Sequence, residues 1–217
     1  MRLTVLGASG GIGKWVVLLA QERGYHVRAI IRDSSSYLAP EGVVTLRGEV
    51  TDINFIQTLD LKDEVVISCI GQRRANLLPW SRLLSPKDLV QRVSENLIQA
   101  KPQSLLWVSA AGVGASATHL TTGTRFFINR GHIATAYADL EKAEDVLVRA
   151  AFPHFAVRPV TLTHGTSNQK LKLIKRYGLN NTIHRRSVAS WLLEAAKRFP
   201  KDADRSAVLS AIGSADS

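Results

Sequence analysis

The sequence predicts an α/β fold, a doubly wound and mostly parallel sheet covered by helices, with a small C-terminal extension on the ligand side. Three observations predict it. Short apolar runs alternate along the chain with stretches of helical length and pattern. Those runs are continuous and do not alternate with period two, as expected of strands buried on both faces. And the first of them, Arg2-Leu3-Thr4-Val5-Leu6, runs straight into Gly7-Ala8-Ser9-Gly10-Gly11-Ile12-Gly13 and then into the apolar stretch Trp15-Val16-Val17-Leu18-Leu19-Ala20. Right-handed crossovers between parallel strands then give the doubly wound sheet.

The elements follow in order. The first strand covers 2–6, and the helix after it closes at Gly24, a C-cap glycine. The second strand is 26–31 and the third 43–47, with 48–52 reading as the opening of a short helix. The fourth strand, 64–70, ends at Gly71. A helix over 86–100 has Ser85 as its N-cap, Pro86 at its first position and Asp88 in its first turn. The fifth strand, 104–108, leads into Ser109-Ala110-Ala111-Gly112, and a long helix occupies 133–151. The sixth strand, 154–158, is stopped by Pro159. Beyond it, 169–177 reads as a basic helix or loop, Ser187 caps a last helix over 188–199, and 207–212 is a closing strand. The stretches 71–85 and 110–131 read as long loops, a length that is often functional in a compact domain.

With 217 residues and 45% apolar content, the chain fits one domain over 1–217, of which 160–217 supplies the substrate side. No apolar run is long enough for a membrane span, and no secretory signal precedes the glycine turn. The single cysteine, Cys69, excludes an internal disulfide framework and fits a reducing, cytoplasmic setting; within Val65-Val66-Ile67-Ser68-Cys69-Ile70 it reads as a buried small hydrophobe. The net charge of +10 raises nucleic acid as a partner. The basic residues are scattered and not interleaved with aromatics, which makes that the lesser reading. The histidines show no metal-ligand spacing, so no metal is expected. A monomer or small homo-oligomer is expected.

The glycine turn carries the first chemistry. Gly7 turns the chain off the strand, Gly10 lets a diphosphate touch the backbone, and Gly13 lets the helix approach the strand. The helix N-terminus adds N–H groups and the positive end of its dipole. Ligands of doubly wound sheets bind beyond the carboxyl ends of the strands. The residues just after each strand are therefore the candidates. Arg32 stands where an acidic residue would bind the 2′-hydroxyl of NAD, and its guanidinium suits a 2′-phosphate. With the hydroxyls of Ser34, Ser35 and Ser36 it favours NADP(H) over NAD(H), against the counter-signal of Asp33.

The set Gly7-Ala8-Ser9-Gly10-Gly11-Ile12-Gly13, Ile31-Arg32-Asp33-Ser34-Ser35, Gly48-Glu49-Val50, Cys69-Ile70-Gly71, Val108-Ser109-Ala110-Ala111-Gly112 and Val157-Arg158-Pro159 resembles the atypical short-chain dehydrogenase/reductases. Within them it looks like the NAD(P)-binding, NmrA-like group, and especially the biliverdin-IXβ/flavin reductase type. The resemblance extends to Lys142-Ala143-Glu144 and the 183–193 segment, and so over nearly the whole chain. It implies a Rossmann-like fold in which residues 8–13 bind the diphosphate and Arg32 the 2′-phosphate. Glu49 and Val50 would flank the adenine, where the group usually has Asp. Ile70 and Gly71 would lie along the ribose, Ser109 near the substrate carbonyl, and Pro159 and Val160 behind the nicotinamide.

The superfamily's catalytic tyrosine has a lysine four residues on. Here Tyr137 is followed by Glu141 at that spacing, and Lys142 is one residue late, off the tyrosine's face. Tyr137 and Lys142 are therefore open between a catalytic pair and two surface residues of a helix. The flavin and biliverdin reductase type works without the pair. The expected activity is hydride transfer from NADPH to a planar conjugated acceptor such as a flavin or quinone. Trp80 and, opposite it, Phe126-Phe127 would wall its pocket, with His164 facing the substrate. The rival reading is a redox-sensing protein of the NmrA-like kind that binds NAD(P) without turnover. An epimerase or dehydratase is a weaker third.

Overall fold

The computed structural model describes residues 1–76, 81–174, 176–198 and 206–211. Its main sheet is built from β1 (Arg2–Leu6), β2 (His26–Ile31), β3 (Val44–Arg47), β4 (Val65–Ser68), β5 (Ser104–Val108), β6 (His154–Pro159), β8 (Leu171–Leu173) and β10 (Ser206–Ala211). The order is β3-β2-β1-β4-β5-β6-β10-β8, parallel throughout except where β8 runs against β10. A two-stranded sheet of β7 (Thr161–Thr163) and β9 (Thr182–His184) stands beside it. This is the doubly wound, mostly parallel arrangement that the continuous apolar runs require.

Alternate residues of each strand feed opposite layers of core. Leu3 and Val5 of β1, Ile67 of β4 and Leu106 of β5 pack under α1 (Gly13–Glu22) and α6 (Arg185–Arg198). Leu6, Val66, Leu105 and Trp107 pack on the other face with α2 (Ile53–Thr58), α3 (Leu89–Ala100) and α5 (Gly131–Leu147). The strand order reverses between β1 and β4, which leave the sheet side by side at Leu6 and Ser68. A crevice opens there because the crossovers leave in opposite directions.

Several local expectations are corrected. The helix expected over 86–100 begins at Leu89 with Asp88 in the cap position. Ser85 does not cap it: its hydroxyl accepts from the Arg73 N–H and donates to the Gln72 side chain. The cap comes from another helix. Asp139 of α5 is 2% exposed and accepts from the N–H groups of Val90 and Gln91 at 3.0 Å. The stretch 110–131 is no plain loop but holds a 3₁₀ turn (Gly114–His119) and α4 (Thr122–Ile128). The 169–177 segment contains β8, and α6 starts at Arg185, two residues before Ser187, whose hydroxyl accepts from Gln169 N–H.

Candidate functional site

The glycine turn sits at the reversal point. Gly7 has φ +74°, and its Cα approaches the Cys69 carbonyl and Ile70 so closely that a Cβ would lie 3.1 Å and 3.0 Å from them. A Cβ on Gly13 would enter the shell of the Gly7 carbonyl oxygen and lie 2.9 Å from Ala8 Cα. Both glycines are thus required by backbone packing before any ligand is considered. No side chain caps the N-terminus of α1 and no acidic residue lies in its first turn, which leaves its positive end for an anion.

A crevice beside this turn is lined by Gly7, Ser9, Gly10, Arg32, Glu49, Val50, Ile70 and Gly71, together with Arg73 and Ser85. Arg32 therefore does reach the same cavity as the glycines. Asp33 is exposed and is not part of that lining. The turn after β2 is pinned by Arg47, whose guanidinium donates to the carbonyls of Arg32, Asp33 and Ser35 at 2.9–3.3 Å. Ser35 lies outside the cavity lining and accepts from Tyr37 N–H. Ala8 and Ile12 are buried beneath the turn, and Ala8 N–H is spent on the Ile30 carbonyl, so they support the loop from below. Gly11 faces a separate hollow that also holds Lys14, His164 and Arg185. Glycines for close approach, a helix N-terminus and an arginine after β2 are together a donor set suited to a dinucleotide.

A further cavity lies past β5 and β6. It is lined by Ser109, Tyr137, Pro159 and Val160, with walls from Phe127, Ile128, Ile133, Leu162 and Tyr177, and with Arg74 and Arg185 at its polar points. The Ser109 hydroxyl donates to Glu144 Oε1 at 2.8 Å. Glu144 is paired with Arg158 at 3.0 Å and 2.5 Å, and Arg158 also donates to Ser206 Oγ at 2.8 Å. Ser109 is therefore committed to a buried ion pair beneath the cavity floor. Tyr137 donates to the Ala111 carbonyl at 3.1 Å. Burial, reinforced by Tyr177 and only partly opposed by Arg74, pushes its pKa up to about 12. Lys142 is exposed and outside both cavities, so the tyrosine-lysine pair is not assembled.

Two pocket residues are redrawn. Phe126 is 61% exposed, with the Arg130 guanidinium 3.8 Å from its ring centroid, and does not line the cavity; its neighbour Phe127 does. His164 lines the hollow behind Gly11 and not the cavity of Ser109 and Tyr137. Trp80 lies outside the described residues. Burial pushes the Cys69 thiol up to about 12, which keeps it protonated and inert. Among the described residues there is no cluster of histidine, cysteine or acidic groups able to hold a metal, and no helix long and apolar enough to cross a membrane.

The NAD(P)H-binding family matches residues 7–198, which takes in the glycine turn, both cavities and α6. The chain belongs to this family. No curated protein matches the sequence. Among solved structures, ChuY, an anaerobillin reductase from Escherichia coli O157:H7, is 20% identical with TM-score 0.77, covering 98% of each chain. A short-chain dehydrogenase/reductase from Veillonella parvula in complex with NADP is 16% identical with TM-score 0.72, covering 98% of this chain and 95% of its own. The oxidoreductase ylbE from Lactococcus lactis is 13% identical with TM-score 0.75, covering 97% and 91%. These likenesses show a shared Rossmann-like α/β fold.

A neutral tyrosine has a testable consequence. Tyr137→Phe is expected to leave the pH dependence of any turnover unchanged over roughly pH 6–9, since the phenol does not ionise there. Its folded pKa of about 12 lies above the ordinary 10.0, so its share of stability is full below pH 10 and is lost as pH rises through about 12. Alkaline unfolding of the Tyr137→Phe variant checks the second point, because that loss should shrink.

Sequence reasoning missed Arg73, Arg74 and Arg185 as cavity residues. The first two lie on a stretch without a periodic signal. Arg185 is brought to the glycine turn only by the packing of α6 on α1.

Proposed function

We propose that this chain is an NADPH-dependent oxidoreductase that reduces a planar, conjugated acceptor, working as one domain with the segment after Val160 on the acceptor side. The observation that carries the reading is the chemistry of the acceptor cavity. Its walls are apolar and aromatic, its tyrosine stays protonated, and its serine hydroxyl is held by Glu144. A simple ketone needs a strong acid placed to meet the charge as it forms. A conjugated acceptor spreads that charge over its own framework and takes its proton from solvent.

The cofactor, when bound, would supply the hydride. The glycine turn and the α1 N-terminus would hold its diphosphate, Arg32 its 2′-phosphate, and Ser109, Pro159 and Val160 would lie on the nicotinamide side. Arg32 inside the crevice with Arg73 nearby, and Asp33 outside it, support NADPH over NADH. That ChuY is an anaerobillin reductase supports an extended conjugated acceptor.

The test follows NADPH and NADH oxidation separately with FMN, riboflavin, a quinone, a biliverdin and a dye. Turnover with NADPH ahead of NADH is expected. Arg32→Met should raise the KM for NADPH by about tenfold, the worth of one charge-assisted bond, and leave NADH nearly unchanged. Tight binding of NADPH with no oxidation by any acceptor would overturn the reductase reading in favour of a cofactor sensor.

A further inference from the structure

Arg185 is the residue whose position the reading above leaves unused. It opens α6, and α6 lies parallel to α1: Arg185 meets Gly11 at one end, and Arg23 meets Ser190 and Glu194 at 3.0 Å near the other. Both helix N-termini therefore point the same way, toward the carboxyl edge of the sheet. The side chain of Arg185 lies across the glycine turn. A Cβ on Gly11 would be 2.8 Å from its Cδ and 2.9 Å from its Nε, so glycine at position 11 is what admits the arginine.

The guanidinium is poorly satisfied. Its NH1 is fully buried and has no hydrogen-bond partner, and no ion pair to Arg185 exists among the described residues. Its neighbour Arg186 is engaged, stacked on Trp15 at 4.9 Å and donating to Asn168 at 3.3 Å. Arg185 lines two cavities, one with Gly11, Lys14 and His164, the other with Ser109 and Tyr137. No aspartate or glutamate lines either of them, so no carboxylate of the cavity walls answers the charge. Burial lowers the Arg185 pKa, which is the mark of a cation short of a counter-charge. A half-buried guanidinium with one buried nitrogen left unpartnered carries a cost, and an anion arriving at this point recovers part of it.

We infer that Arg185 is a clamp for the cofactor's diphosphate, reaching over the glycine turn from α6 to supply the counter-charge that the turn itself lacks. The inference rests on the NAD(P)H-binding reading of the turn. The turn itself offers backbone N–H groups, the Ser9 hydroxyl and a helix end; the one cation within residues 7–16, Lys14, is exposed with its ammonium 5.7 Å from the Tyr37 ring. The role is electrostatic positioning: the arginine fixes where the diphosphate sits and hence how the nicotinamide enters the cavity it also borders.

The experiment measures the affinity of native protein, Arg185→Met and Arg185→Lys for NADPH and for ADP-ribose, which carries the diphosphate and no nicotinamide. Arg185→Met is expected to weaken both ligands by the same factor, about tenfold or more, with Arg185→Lys recovering part of it. Without ligand, Arg185→Met should melt no lower than the native protein, because a half-buried charge with an unpartnered nitrogen has been removed; its melting temperature should rise less on adding ADP-ribose. Gly11→Ala, which pushes the arginine aside, should weaken ADP-ribose in the native background and add little in Arg185→Met. ADP-ribose affinity unchanged in Arg185→Met overturns the inference, whatever happens to NADPH or to an acceptor. Failure of the native protein to bind either ligand would instead overturn the cofactor reading beneath it.

Discussion

Glu144→Ala is expected to lower the stability of the fold by about 3–5 kcal/mol, the usual cost of removing one partner from a buried ion pair. Arg158 is 8% exposed, its Nε and one terminal nitrogen donate to the two Glu144 oxygens, and Ser109 donates to the same carboxylate. Deleting the carboxylate leaves a guanidinium and a hydroxyl facing each other across a dry gap. Urea unfolding followed by tryptophan fluorescence measures the loss. Glu144→Leu combined with Arg158→Met removes both charges at once and should recover most of it, since an apolar pair of similar volume carries no desolvation cost. The double variant also frees the Ser109 hydroxyl. If its turnover matches the native protein's, Ser109 acts as a wall of the cavity and not as a proton donor. A single Glu144→Ala variant as stable as the native protein would show that the pair contributes nothing net.

Gly13→Ala should lower cofactor affinity by about 100-fold, the loss of two charge-assisted bonds to a misplaced turn. A Cβ at this position collides with the Gly7 carbonyl and with Ala8 Cα, both backbone atoms that no rotamer change can move. The turn must therefore shift off the strand end, and the crevice lined by Gly7, Ser9 and Gly10 changes shape. Gly123→Ala is the control: nothing lies within 4 Å of its Cβ position, and it sits in α4. It should be neutral or add a few tenths of a kcal/mol by restricting the unfolded chain. Isothermal titration with NADPH separates the two. Affinity retained in Gly13→Ala would mean that the turn tolerates the displacement.

Much of the crevice around the glycine turn was legible in the sequence because it is local. Strand, glycine turn and helix are contiguous, and the positive φ at Gly7 belongs to the turn itself. Arg32 follows directly from where β2 ends. Even the failure of the tyrosine-lysine motif could be counted along the chain, since Lys142 cannot share the face of Tyr137 at five residues' separation.

The cavity past β5 and β6 was not legible in the same way. Phe126 and Phe127 are adjacent in sequence and equally apolar, yet only Phe127 enters the cavity. The choice is made by how α4 docks, and a stacked Arg130 holds Phe126 outside. Ser85 has every local mark of a helix cap, but Asp139, 49 residues from Val90, takes that place. A charged carboxylate buried at a helix N-terminus outcompetes a surface hydroxyl.

By itself, then, the sequence determined what hydrogen-bond geometry and chain stiffness decide over a few residues: the parallel sheet, the glycine turn, the basic residue after β2. The tertiary structure alone decided which distant groups share one low-dielectric space. It brought Ser109 and Arg158 onto the same Glu144 carboxylate, raised the pKa of the Tyr137 phenol, and laid Arg185 across Gly11. Charges and hydroxyls take their chemical character from their neighbours, and those neighbours are set by packing between elements far apart in the chain.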